Sequence, residues 1–158
     1  MTELPQPGAL FESHLLVSNL ERSISFYRDL LGLHLAGLFD ERRAAFFWIG
    51  GPGQSMLGLW ESRLRLDSKL MFKPETHIAF RVSLDELLNA PTALRSAGVE
   101  PLDFDHHPTN EPVVLAWMPA ASLYFDDPDG NLLEYITMLD EPARPELGVV
   151  SWDEWTTW

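Results

Sequence analysis

The 158-residue chain contains no cysteine. Disulfides, thiol nucleophiles and thiolate metal sites are thereby excluded. Basic residues are also few: 11 Lys and Arg against 24 Asp and Glu give a formal net charge of −13. Nucleic-acid binding draws on clustered cations to neutralise phosphates, and an anionic membrane surface asks for the same, so neither is expected as a partner. No apolar run approaches the roughly 18 residues of a membrane span. Residues Met1 to Ala9 carry neither the basic nor the apolar part of an export signal. The expectation is a soluble, cytoplasmic protein. Apolar residues make up 46% of the chain, enough for a real core.

What is present is a repeat. Phe11–Val17 reads as a strand. Ser18 with Glu21 forms an S-x-x-E capping-box pattern, Leu20, Ile24, Tyr27 and Leu31 recur at helical spacing, and Gly32 stops the helix. The second half repeats this. Thr76–Val82 reads as a strand, Ser83 with Glu86 is again S-x-x-E, Leu84, Leu87, Leu88 and Leu94 give the apolar stripe, and Gly98 closes it. Pro91 should kink this helix, interrupt it or begin a second segment. Short strands follow each helix: Leu35–Phe39, Ala44–Ile49 and Met56–Glu61, then Val99–Phe104, Val113–Met118, Ser122–Phe125 and Leu132–Met138. Asp126–Asn131 is dense in turn formers. The reading is α+β, with two tandem βαβββ modules at 11–61 and 76–139. An N-terminal extension at 1–10, a linker at 62–75 and a Trp-rich tail at 140–158 complete the division. Trp152, Trp155 and Trp158 are expected to dock on the body or on a partner, since exposed together they would form a costly patch.

Each module carries one His in its first strand and one Glu in its last: His14 and Glu61, then His77 and Glu134. Taken singly, a strand His is more often structural and a Glu near a strand end more often solvated. Equivalent placement in two repeats favours a shared site instead. By strand alternation Glu61 lies with Leu59 while Trp60 points the other way, and Glu134 lies with Leu132 and Ile136. A carboxylate among apolar neighbours is expensive to bury unless paired or coordinated. Two imidazoles and two carboxylates suit a divalent ion such as Zn, Ni, Co, Mn or Fe(II), not Ca or Mg. Such an ion would act as a Lewis acid on a chelated substrate, with Glu61 or Glu134 free to serve as general base. Ligation needs neutral His and ionised Glu, so metal should be lost as the pH falls below about 6.5, the ordinary His value. His106 and His107 read as a surface loop that could form a pocket rim, and His34 as exposed.

The strings Ser25-Phe-Tyr-Arg-Asp-Leu-Leu-Gly-Leu33 and Leu123-Tyr-Phe-Asp-Asp-Pro-Asp-Gly-Asn-Leu-Leu-Glu134, with His14-Leu-Leu-Val-Ser18, resemble the vicinal oxygen chelate superfamily. That superfamily includes glyoxalase I, bleomycin-resistance proteins, fosfomycin-resistance enzymes and extradiol dioxygenases. The resemblance covers about Phe11 to Met138. It implies paired βαβββ modules forming a cupped mixed sheet around a metal, helices outside, usually in a homodimer. It also implies His14, Glu61, His77 and Glu134 as ligands. Fosfomycin-resistance enzymes use three, corresponding to His14, His77 and Glu134. Bleomycin-binding members lack the metal set.

The substrate is not legible. Arg22, Arg43, Arg63 and Arg81 are the available cations, and none matches a glutathione-binding pattern. Phe47, Trp48, Trp60, Trp117, Tyr124 and Phe125 could wall an apolar pocket, although as a group they are more often core. Trp48, Arg81, Trp117 and Tyr124 are the pocket candidates. The expected function is a metal-dependent enzyme acting on a small oxygenated molecule, either a glyoxalase-like lyase or isomerase or a ring-cleaving dioxygenase. The alternative is a non-catalytic drug- or metabolite-binding protein of the bleomycin-resistance type. A structural or regulatory subunit using the Trp tail is a third reading.

Overall fold

The computed structural model describes residues 9–62 and 77–158. The expected linker from residue 63 onward, the extension up to residue 8 and Arg63 lie outside the described residues. The chain divides into two compact units, the first ending before the second module's opening strand.

The first unit runs β1 (Glu12–Val17), α1 (Leu20–Ser25), β2 (His34–Phe39), β3 (Ala44–Ile49) and β4 (Ser55–Glu61), in the sheet order β1-β4-β3-β2. The second runs β5 (His77–Arg81), α2 (Leu84–Ser96), β6 (Val113–Leu115), β7 (Ala120–Asp126), β8 (Leu132–Met138), β9 (Val149–Ser151) and α3 (Trp152–Thr156), in the order β5-β8-β7-β6-β9. The first and last module strands pair parallel in both units, and the remaining pairs are antiparallel. The repeated sequence is thus a repeated topology: two βαβββ modules, α+β in class, each with its own mixed sheet.

Each sheet buries one face under its helix. In the first unit Leu57, Leu59, Ala45 and Phe47 are fully buried with Leu20 and Tyr27. In the second, Leu87, Ala90, Pro91 and Leu94 of α2 are buried along with Phe80, Leu123, Phe125 and Leu133. Alternation then fixes the opposite face, which carries His14 in one unit and His77 in the other.

Several local expectations are revised. The cap of α1 is Asn19, whose side chain accepts from the Arg22 amide, while Ser18 Oγ accepts from the Arg22 guanidinium. The helix continues into a π-helical turn at Phe26–Leu30 and ends near Gly32 at φ 73°. Ser83 and Glu86 do form the reciprocal capping box. Pro91 neither breaks nor splits α2, which runs through it as one helix. Val99–Phe104 is not a strand: only Leu102 bridges, to Pro108 and Tyr124, because Asp103 ties the following residues into a turn. Strand β6 stops at Leu115, where Met118 N–H closes a turn on the Leu115 carbonyl.

The Trp-rich segment is folded into the second sheet. β9 pairs antiparallel with β6, α3 opens on a Ser151–Glu154 capping box, and Trp155 is buried with the Arg144 guanidinium 5.3 Å from its ring. Trp158 stays exposed. Among the described residues no helix is long and apolar enough to cross a membrane.

Candidate metal centre

His77 opens β5 and pairs in register with Leu132; two residues on, Ala79 pairs with Glu134. Paired positions share a face in a parallel ladder, so His77 and Glu134 face the same way. Their side chains meet, with His77 Nε2 2.8 Å from Glu134 Oε2. Glu134 is only 3% exposed, and its other oxygen accepts from Ser122 Oγ at 2.6 Å. The turn before β8 sets this placement. Asp127 accepts from the Asp129 and Asn131 amides and from the Asn131 side chain, and Gly130 takes φ 78°. The strand therefore starts at Leu132, and its third residue is Glu134.

Tyr124 pairs with Glu134 across β7 and β8. Its ring packs edge-on against His77 at 5.9 Å and against Phe104 at 6.3 Å. Burial first, then the Glu134 charge, push its phenol above the ordinary range. Tyr124 thus stays neutral beside the Glu134 carboxyl. Arg81 lies exposed on the same face as His77.

In the first unit His14 pairs with Gly58, and two residues on Leu16 pairs with Trp60. The position that Glu134 holds in the second unit is therefore held here by Trp60. Its indole N–H donates to His14 Nδ1 at 3.0 Å, while His14 Nε2 lies 3.0 Å from Glu12 Oε1. An indole nitrogen can only donate, so Nδ1 is bare and the neutral ring carries its proton on Nε2. Ligation through Nε2 would require the indole to let go.

Glu61 is not brought to His14. It pairs with Val17 and shares the helix-facing side with Leu57 and Leu59. Its Oε2 accepts from the Leu20 amide at the start of α1 and from the Arg43 guanidinium. Arg43, followed by the Leu20 N–H, holds the Glu61 carboxyl below its ordinary range. Glu61 is an anchor for α1, facing away from the side that carries His14. Strand alternation assigned Glu61 and Trp60 to opposite faces; only the β1–β4 register tells which face is His14's.

The remaining candidates separate clearly. Trp48 shares the His14 face through its pairing with Met56. Phe47 and Phe125 are core. Trp117 is 59% exposed in the turn after β6, at the far end of β7 from Tyr124. His106 (φ 63°) and His107 are exposed in the turn organised by Asp103; from that loop it is Phe104 that reaches Tyr124. From sequence Phe104 was only the end of an expected strand, and nothing in its spacing marked it as a neighbour of Tyr124.

The donor chemistry of the second unit fits a divalent ion: one imidazole nitrogen and one oriented carboxylate, buried where an anion needs a cation. Among the described residues no three His, Asp or Glu side chains gather at one point.

Comparison with known proteins agrees with the fold. The chain is 32% identical over 121 residues to the metallothiol transferase FosB of Shouchella clausii (strain KSM-K16), covering 77% of this chain and 74% of that protein. An integron cassette protein, HFX_CASS4, from the mobile metagenome of a Halifax Harbour sewage outfall superposes with a TM-score of 0.65 at 35% identity. It covers 84% of this chain and all of its own. A glyoxalase/bleomycin resistance protein/dioxygenase from Nocardioides gives 0.62 at 28% identity, with 89% of each chain covered. Residues 10–135, nearly all of both modules, match the profile of one family, and the chain belongs to the Glyoxalase/Bleomycin resistance protein/Dioxygenase superfamily.

Proposed function

We propose that this chain is a metal-dependent enzyme acting on a small oxygenated molecule, with His77 and Glu134 of the second unit as ligands and His14, by repeat position, as the ligand the first unit contributes. The carrying observation is the buried Glu134 carboxylate, held by Ser122 and facing His77 Nε2. His14 holds the place of His77 in the first unit, and the likeness to metallothiol transferases supports a metal. A bound divalent ion would supply Lewis acidity to a chelated substrate.

The chain's own groups have separable roles. Ser122 holds one Glu134 oxygen and leaves the other turned to His77. Tyr124, kept protonated, packs against His77 and hydrogen-bonds the Glu134 carboxyl. Arg81 supplies a cation on the same face, and Phe104 with Tyr124 shields the carboxylate from water. Lyase, isomerase, transferase and ring-cleaving chemistries all begin from such a centre. Assembly as a homodimer and a cytoplasmic location belong to the same reading; they rest on the family resemblance and the cysteine-free composition.

The test is metal content after purification without a His tag, by elemental analysis. His14→Ala, His77→Ala and Glu134→Gln should each lower bound metal at least about tenfold, the cost typical of disturbing a ligand set, while Glu61→Gln should keep it. Full metal content in Glu134→Gln would overturn the assignment.

A further inference from the structure

The exposed face of the first sheet is hollowed beside His14. Ala36, Gly37, Phe39, Phe46, Trp48 and Met56 line a cavity of about 270 Å³. None of the six is charged. In the β2–β3 connection, the Arg43 guanidinium is engaged by Glu21 and Glu61, the latter on the helix side. Two glycines keep the hollow open. A Cβ on Gly37 would stand 3.1 Å from the Phe39 ring, and one on Gly58 would stand 2.9 Å from His14 Cδ2 and 3.1 Å from the Phe46 ring. A bulge in the β2–β3 register brings Gly37 opposite Phe46.

The walls are aromatic and braced edge-to-face: Phe39 on Phe46 at 5.6 Å, Phe46 on Trp60 at 5.9 Å and Phe46 on His14 at 5.8 Å. Phe46 is therefore both a wall of the hollow and a neighbour of the imidazole. At about 270 Å³ the open hollow has room for a flat ring laid against its walls. Ring edges and faces at these spacings favour a further aromatic group.

We propose that this hollow is a substrate subsite for a flat, uncharged apolar group, an aromatic ring or its equivalent. The substrate class is then a molecule whose oxygen donors sit on an aromatic or aryl-bearing body, not a compact phosphonate or other small anion. The inference rests on the His14 side of the proposed metal centre, but the subsite itself is carried by the first unit alone. Its occupancy does not depend on His77 or Glu134.

Calorimetric titration of the full-length protein with 2-naphthol tests it, with methylphosphonate as the anionic comparison. The wild type should bind 2-naphthol saturably and ignore methylphosphonate. Gly37→Val, which fills the hollow at a residue of ordinary backbone conformation, should weaken 2-naphthol at least about tenfold, or about 1.4 kcal/mol. Phe39→Ala, at an exposed position, should weaken it too without adding bulk. His77→Ala should keep 2-naphthol affinity within about twofold even as its metal is lost. Unchanged affinity in both cavity variants, absent binding in the wild type, or displacement by methylphosphonate would overturn the subsite. Retained metal in His77→Ala alongside intact 2-naphthol binding would overturn only the metal assignment.

Discussion

Trp60 and Glu61 are adjacent, point to opposite faces of β4 and divide two tasks between them. The indole takes the place that Glu134 holds in the other unit and touches His14. The carboxylate anchors the first turn of α1 and pairs with Arg43. From sequence, His14 and a Glu at the end of the module looked equivalent to His77 and Glu134. Side chains alternate with period two, so a one-residue offset moves a group to the other face. The offset is visible only once β1 and β4 are paired. His77 and Glu134 were legible because the Asp127 turn and the repeat agree on their phase. Glu61→Gln should therefore cost stability and leave metal alone. The charged hydrogen bonds are part-exposed, and roughly 1 kcal/mol is expected. Because the folded carboxyl titrates below its ordinary value of 4.5, its contribution is complete above that pH. It is lost as the pH falls through the depressed folded value. Urea midpoints of wild type and Glu61→Gln should differ at pH 7 and converge toward pH 3. A constant gap would mean that ionisation is not what matters.

At the scale of elements, caps were readable where a side chain had only one backbone partner to find. Ser83 and Glu86 closed their box as the spacing implied, but in the first module Asn19 displaced Ser18 as the cap. Pro91 was expected to kink or interrupt α2, or to begin a second segment. It sits fully buried on the stripe with Leu87 and Leu94, and packing outweighs the hydrogen bond that proline cannot make. The C-terminal segment was the least legible, because three tryptophans at a spacing of three suggest burial without naming a surface. The structure gives them unequal roles. β9 covers the β6 edge, which would otherwise be open to pairing with another chain, and Trp155 plugs α3 against it. Trp155→Ala should lower stability by about 3 kcal/mol, as for other large aromatic truncations in a core, and increase association through the freed edge. Trp158→Ala, at an exposed position, should change either by less than about 0.5 kcal/mol. Urea unfolding and light scattering on the two variants separate a plug from a mere surface aromatic. Equal effects at both positions would remove the plug.

For the molecule as a whole, duplication was legible because two βαβββ patterns carry the same punctuation, and the four module strands take the same order in both sheets, with β9 added to the second. The acidic excess has a consequence of its own at this scale. A formal charge of −13 on 158 residues repels itself in the compact state, and the unfolded chain relieves that repulsion by spreading out. Screening falls off over about 30 Å at 0.01 M salt but about 8 Å at 0.15 M. Raising NaCl between those concentrations should therefore stabilise the fold even as it weakens exposed pairs such as Arg28–Asp29 and Arg95–Glu100, each worth little on its own. The thermal midpoint should rise across that range, measured by circular dichroism in a non-chelating buffer. A divalent ion bound at His77 and Glu134 neutralises two of the charges, so the salt dependence should be steeper in Glu134→Gln stripped of metal than in the loaded wild type. A midpoint that falls with salt would mean that local ion pairs, and not the net charge, govern the acidic surface.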